Sequence, residues 1–170
     1  MLLPAGSANM ITIPPSLVER SETHYVAVAR HVSMSQLDEV AAWLTTQGIE
    51  LIGAPLIRYR VIDMNDLLQV EIGWPLEAPV EAPSQFIVDV LPAGTYGSAT
   101  YRDVSEGVAG NAALLGWGND TGVAWDYRAI DEGDVFASRV EFFLTGPEDD
   151  SDPTTWLTEV VIKVAEREAT

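Results

Sequence analysis

The stretch "YVAVARHVSMSQLDEVAAWLTTQGIELIGAP" (residues 25–55) has a counterpart in "YGSATYRDVSEGVAGNAALLGWGNDTG" (residues 96–122). Each opens on Tyr with a strand-like segment, passes a Val-Ser step, and continues as an amphipathic run that ends in Trp and Gly. Trp43 and Gly48 are spaced as Trp117 and Gly122 are. Further on, "IRYRVI" then "LQVEIGWPL" parallels "VEFFLTG" then "TEVVIKV", which matches Ile57 with Glu141, Tyr59 with Phe143, and Glu71 with Glu159. Internal self-similarity at this scale is the mark of a duplicated unit. The chain reads as strand–helix–strand–strand, twice.

The first helix has Ser35 as its N-cap, Asp38 in its first turn, and an apolar stripe of Leu37, Val40, Ala41 and Leu44. Gly48 supplies a left-handed C-terminal residue. The second helix starts after Ser105 and runs to about Asn119. Gly107, Gly110, Gly116 and Gly118 weaken it, so it depends on packing of Val108, Ala112, Leu114 and Leu115 on a sheet. Close helix–sheet approach, a ligand beside the helix, or simply a frayed helix accounts for so many glycines. Between the halves, Pro79 and Pro83 make "LEAPVEAPSQ" a connector. Residues 1–15 read as a flexible leader with Met10 as an alternative start, and residues 16–170 as one domain of two repeats, about 16–78 and 85–165.

At 170 residues, with 47% apolar residues and five tryptophans, the chain buries a real core. Zero cysteines exclude disulfides and thiolate chemistry, and a reducing cytoplasm is the expected location. No apolar run approaches membrane-spanning length and no secretory signal opens the chain. Nine bases against 26 acids, a net charge of −17, speak against direct nucleic-acid binding and favour cationic ligands. Acids crowd the second half, sixteen against five bases in residues 86–170, with acidic loops at 131–134 and 146–154. His24 and His31 lack metal-ligand spacing, no nucleotide or hydrolase fingerprint is present, and no cofactor is expected.

Strand alternation sorts the second half by face. Glu141 and Phe143 share one side of their strand, and Glu159, Val161 and Lys163 one side of the next. The opposite sides, Val140/Phe142/Leu144 and Val160/Ile162/Val164, are apolar and are expected under the helices. If the strands are neighbours, the two carboxylates come within several ångströms of each other. Arg58 and Arg60 fall on a side that symmetry makes core, and alternation offers no account of them. Tyr59, Tyr101, Trp117, Trp125, Phe143 and Trp156 are candidate walls of a ligand groove, Trp125 and Trp156 foremost, with Trp43 and Trp74 behind them.

In the order "YVAVARHVS", "AAWLTTQGIELIGAP", "VEIGWPL", "VLPAGTYGSATYRDV", "RVEFFLTGP" and "TEVVIKV", residues 16–164 resemble the GyrI-like family of small-molecule-binding domains. That family also supplies the effector-binding part of drug-sensing transcription regulators. The resemblance implies an α+β fold with an SHS2-like duplication: an antiparallel sheet, two helices on one face, and a ligand groove on the other. It implies a groove carboxylate at Glu141 and a second acid at Glu159. The chain departs from the pattern in the insertion "VAWDYRAIDEGDVFAS" (123–138), in Phe143 where tyrosine is common, and in Lys163 where proline is common. No helix-turn-helix unit fits residues 1–20, so a regulator would need a separate DNA-binding partner.

The expected function is binding of a hydrophobic, cationic or planar aromatic small molecule, with Glu141, Phe143, Glu159, Tyr59, Tyr101, Trp117, Trp125 and Trp156 as the ligand-binding residues. One alternative is a hydrolase that opens strained cyclopropane rings of genotoxic natural products, with Glu141 as base and Tyr101 or Tyr59 as donor. A third is interaction with a topoisomerase.

Overall fold

The computed structural model describes residues 10–29, 42–49, 52–62 and 68–166. The expected cap Ser35, the stripe residues 37–41 and His31 lie outside the described residues, as does the leader up to residue 9. In chain order the elements are β1 (Ile11–Arg20), β2 (Thr23–Ala29), a helical segment at 42–46 (α1), β3 (Leu56–Ile62), β4 (Leu68–Leu76) and β5 (Ile87–Leu91). There follow β6 (Gly94–Arg102), α2 (Gly107–Thr121), β7 (Tyr127–Ile130), β8 (Gly133–Phe136), β9 (Arg139–Phe143) and β10 (Leu157–Lys163). No helix among the described residues is long and apolar enough to cross a membrane.

The class is α+β, and every described strand pairing is antiparallel, in the order β1-β6-β10-β9-β3-β4-β2-β5. The duplication is visible in that order. β2, β4 and β3 on one side mirror β6, β10 and β9 on the other, about the β3–β9 contact. Each repeat also carries a leading strand. β1 precedes β2 in the chain but pairs with β6, while β5 precedes β6 but pairs with β2. The repeats thus exchange their first strands. The β7–β8 hairpin is the insertion at 123–138, and it adds to β3 through Val61↔Val135.

β1 corrects the expected leader, because residues 11–15 belong to the sheet. Pro14 and Pro15 fall where the β1–β6 register slips, between Ile13 and Ser16, and β1 is an edge strand. Proline is tolerated at such places because no ladder hydrogen bond is lost.

The exchange forces the sheet to roll. β5 and β6 are six strand spacings apart, about 29 Å in a flat sheet. Yet Pro92 and Ala93 alone join them, a reach of about 11 Å. Ser21 and Glu22 impose the same closure between β1 and β2. The inner face is therefore enclosed by the sheet itself. Tyr25, Tyr96, Leu56, Val140, Phe142, Val161 and Leu91 form one buried cluster there.

Both helices pack on the outer face. One cross-sheet row runs Val28, Ile72, Ile57, Glu141, Val160, Ala99. Leu44 of α1 packs with Val26 and Val28, and Leu114 of α2 with Ala99 and Val160. This corrects the expected layering, which put Val140 and Phe142 under the helices. They face inward, and Glu141 stands on the helix-covered side. Rolling makes both faces apolar, so alternation shows where a strand lies but not which side the helices take.

The glycines of α2 reflect close packing. A methyl group at 110 would fall 2.6 Å from the Tyr101 ring. The Trp125 ring lies between Gly97 of β6 and Gly118 of α2, where a Cβ on either would overlap it. At the expected position, Gly122 (φ 81°) ends α2, its N–H donating to the Asn119 and Gly118 carbonyls.

Candidate functional site

Glu141 sits at the centre of the outer face. β9 and β3 pair as Leu56↔Phe142, Ile57↔Glu141 and Arg58↔Val140. Since Ile57 and Glu141 are equivalent in the two repeats, the pseudo-twofold axis passes between them. The scaffold is symmetric there and the charge is not: the row has one carboxylate, faced by an isoleucine.

Glu141 is 6% exposed. Tyr59 Oη donates to Oε1 and Tyr101 Oη donates to Oε2. Burial pushes both phenols well above their ordinary value of 10, and the adjacent Glu141 charge pushes them further. They are firm donors at any physiological pH. No guanidinium or ammonium of the described residues lies within ion-pair distance of Glu141. The nearest cation along β9 is Arg139, whose Nη2 donates to Asn111 Oδ1 at 3.0 Å and whose guanidinium lies 4.7 Å from the centre of the Phe136 ring. Burial lowers the pKa of that guanidinium, against the opposing pull of Tyr59, Glu141 and Asp134.

Around the carboxylate the surface is apolar. Ile57, Val70 and Ile72 form a buried patch, with Tyr59, Trp74 and Phe143 packed against it. Trp74 also reaches the cluster under α1, so it bridges the α1 side and the Glu141 side. The first residue of α2 flanks the opposite side, where a Cβ on Gly107 would lie 3.9 Å from Oε2. The helix therefore turns its positive end toward the carboxylate.

Of the residues expected to bind ligand, the fold gathers Glu141, Tyr59, Tyr101 and Phe143. The others lie elsewhere. Glu159 pairs with Phe142, not Glu141, which puts it on the inner face; there it accepts from Ser98 Oγ at 2.7 Å and lies 3.7 Å from Arg20. Trp117 and Trp125 belong to the packing between α2 and the sheet. Trp156 donates from Nε1 to the Asp150 carbonyl of its own acidic loop at 2.7 Å. Sequence reading missed Ile57 and Arg139 as neighbours of Glu141. The pairing of Ile57 with Glu141 in the repeat alignment was a usable signal, because axis-related residues on central strands meet.

Arg58 and Arg60 find their places on the inner side. Arg58 Nη1 donates to Tyr25 Oη at 2.9 Å and to the Val90 carbonyl at 3.0 Å, and Nη2 to the Ala137 carbonyl at 2.9 Å. Arg60 lies 3.1 Å from Glu71 through Nε and contacts Asp89 through Nη2. Tyr25 Oη donates to Glu71 Oε1 and closes the network.

No family model matches the sequence, and a search of curated proteins returns no match. Solved structures do match. The C-terminal domain of EcmrR superposes with a TM-score of 0.74 at 16% identity, over 92% of this chain and 99% of that domain. EcmrR in a complex with DNA gives 0.71 at 16% identity, covering 90% of this chain, which spans only 57% of that one. The fold is GyrI-like. Two further structures with this fold are a hydrolase from Listeria innocua, with TM-score 0.60 and 14% identity over 89% of this chain and 92% of that one, and SAV2435 bound to tetraphenylphosphonium. SAV2435 gives 0.54 at 10% identity over 90% of this chain and 94% of its own.

Proposed function

We propose that this GyrI-like chain binds hydrophobic cations, with Glu141 supplying the charge and Tyr59, Tyr101 and Phe143 the aromatic surface. The observation that carries this is the way Glu141 is held. A buried carboxylate is expensive unless it is paired. Here two neutral phenols satisfy its oxygens and no described side chain forms an ion pair with it, amid isoleucine and valine, where the field is weakly screened. Arg139, the nearest guanidinium among the described residues, forms no ion pair with Glu141, and Asp134 shares its pull. A cation that brings its own apolar surface fits, because it needs no acceptor beyond the charge and gains from ring faces. The tetraphenylphosphonium complex of SAV2435 supports the ligand class, and EcmrR, seen in complex with DNA, supports a sensing role.

Tryptophan-fluorescence titration with tetraphenylphosphonium tests the reading. Glu141→Gln is isosteric and still accepts from one phenol, and we expect it to weaken binding by at least about tenfold. Equal affinities in the two proteins would refute the charge role.

The likeness to a Listeria hydrolase keeps hydrolysis as a second reading, with Glu141 as the base for a water. Each Glu141 oxygen already accepts a phenol hydrogen, which leaves one lone pair on each for that proton. Incubation with an alkylating cyclopropanoid, read by mass spectrometry, decides it: an unaltered compound after long exposure to stoichiometric protein removes the hydrolase.

A further inference from the structure

Gly107 opens α2 with φ −56° and ψ −44°, right-handed helical angles that any L-residue adopts. The backbone therefore does not require glycine there, and a side chain would strengthen the helix. Nor does crowding require it. A Cβ at 107 would lie 3.4 Å from Tyr101 Oη and 3.9 Å from Glu141 Oε2, ordinary contact distances, unlike the overlap at Gly110. What glycine leaves is room. The two atoms that such a Cβ would meet are the donor and the acceptor of the hydrogen bond between Tyr101 and Glu141, so a longer side chain at 107 competes for the space beside it. The neighbouring residues at that rim, Val104 and Val108, are apolar and exposed, 43% and 88%.

We propose that Gly107 is a specificity-determining residue, which holds open the space beside Glu141 Oε2 and so sets how bulky a cation the carboxylate can take. It selects onium ions with large apolar substituents over compact ones. This rests on the cation-binding reading above. Gly116, in the same helix, is the built-in control, because a Cβ there would meet nothing within 4 Å.

The test compares tetraphenylphosphonium with benzyltrimethylammonium in wild type, Gly107→Leu, Gly107→Ala and Gly116→Leu, by fluorescence titration, with circular dichroism to confirm folding. We expect Gly107→Leu to lose at least about tenfold in affinity for tetraphenylphosphonium and Gly107→Ala about threefold, with Gly116→Leu unchanged and a smaller loss for the compact cation. If Gly107→Leu does not fold, the alanine variant decides by the same comparison. Wild-type affinity for tetraphenylphosphonium in the variants, or equal loss of both cations, overturns the width role while the binding reading stands. Wild-type protein that takes up neither cation overturns both.

Discussion

Glu71 and Glu141 are buried to the same degree, 6% exposed, on opposite faces of one sheet. They differ in what answers their charge. Glu71 on the inner face has Arg60 at 3.1 Å and the Tyr25 hydroxyl, within a cluster of two carboxylates (Glu71, Asp89) and two guanidiniums (Arg58, Arg60). Those charges cancel. Glu141 on the outer face has two phenols and no ion pair among the described residues. Burial of a charge is thus no sign of function in itself. A carboxylate neutralised from within has nothing left to offer a ligand, whereas one solvated by neutral donors keeps its field.

The largest expected effect separates the pair by stability. Glu71→Gln leaves Arg60 and Arg58 without their main anion and is expected to cost about 3 kcal/mol in urea denaturation, with cation affinity retained. Glu141→Gln is expected to change stability by less than about 1 kcal/mol and to act on affinity instead. Equal stability losses would erase the distinction.

Removing hydroxyls sharpens it. Tyr101→Phe and Tyr59→Phe each take away one of the two donors to Glu141 among the described residues and are expected to cost about 2 kcal/mol. Tyr25→Phe leaves Glu71 with its guanidinium and should cost about 1 kcal/mol by the same denaturation assay.

The tyrosines also set an alkaline limit. Burial first, then the neighbouring carboxylate, raises the Tyr25, Tyr59 and Tyr101 phenols above their ordinary value of 10 in the folded chain. The unfolded chain releases those protons near pH 10 and the folded chain keeps them. Their contribution is whole below pH 10 and falls as pH rises beyond it, by about 1.4 kcal/mol per phenol per pH unit. Phenolate absorbance for these three should appear only with unfolding, and Tyr59→Phe should flatten the slope by one phenol's share. The smallest effect is expected at Trp156, whose indole is tied to its own loop. Trp156→Ala should leave tetraphenylphosphonium affinity within about twofold in the fluorescence titration.

The duplication was legible in the sequence because paired landmarks recur in the same order, Tyr25 with Tyr96 and then Trp43 and Gly48 with Trp117 and Gly122, the last two pairs at identical spacing. Glu141 was legible as an acid inside an apolar strand. The register of β9 on β10 was not. Glu141 faces Val160 instead of Glu159, and a slip of one residue exchanges the two faces of a strand. Nothing local fixes that slip when both faces are apolar. β1 was read in part as leader, and its Pro14 and Pro15 sit at a register break that only the partner strand reveals. Arg58 and Arg60 made no sense along their own strand because Tyr25, Glu71 and Asp89, which receive them, come from β2, β4 and β5.

The crossed leading strands carry a consequence for how such a molecule can be divided. One repeat alone has a second strand with a bare flank and a first strand with nothing to lie against. Two separate half-length chains could satisfy each other only by trading those strands, so the natural unit of assembly is the pair, whether or not a peptide bond joins it. In the joined chain, cutting the connector near Pro83 should leave fragments that rebind as complementary partners and do not fold apart.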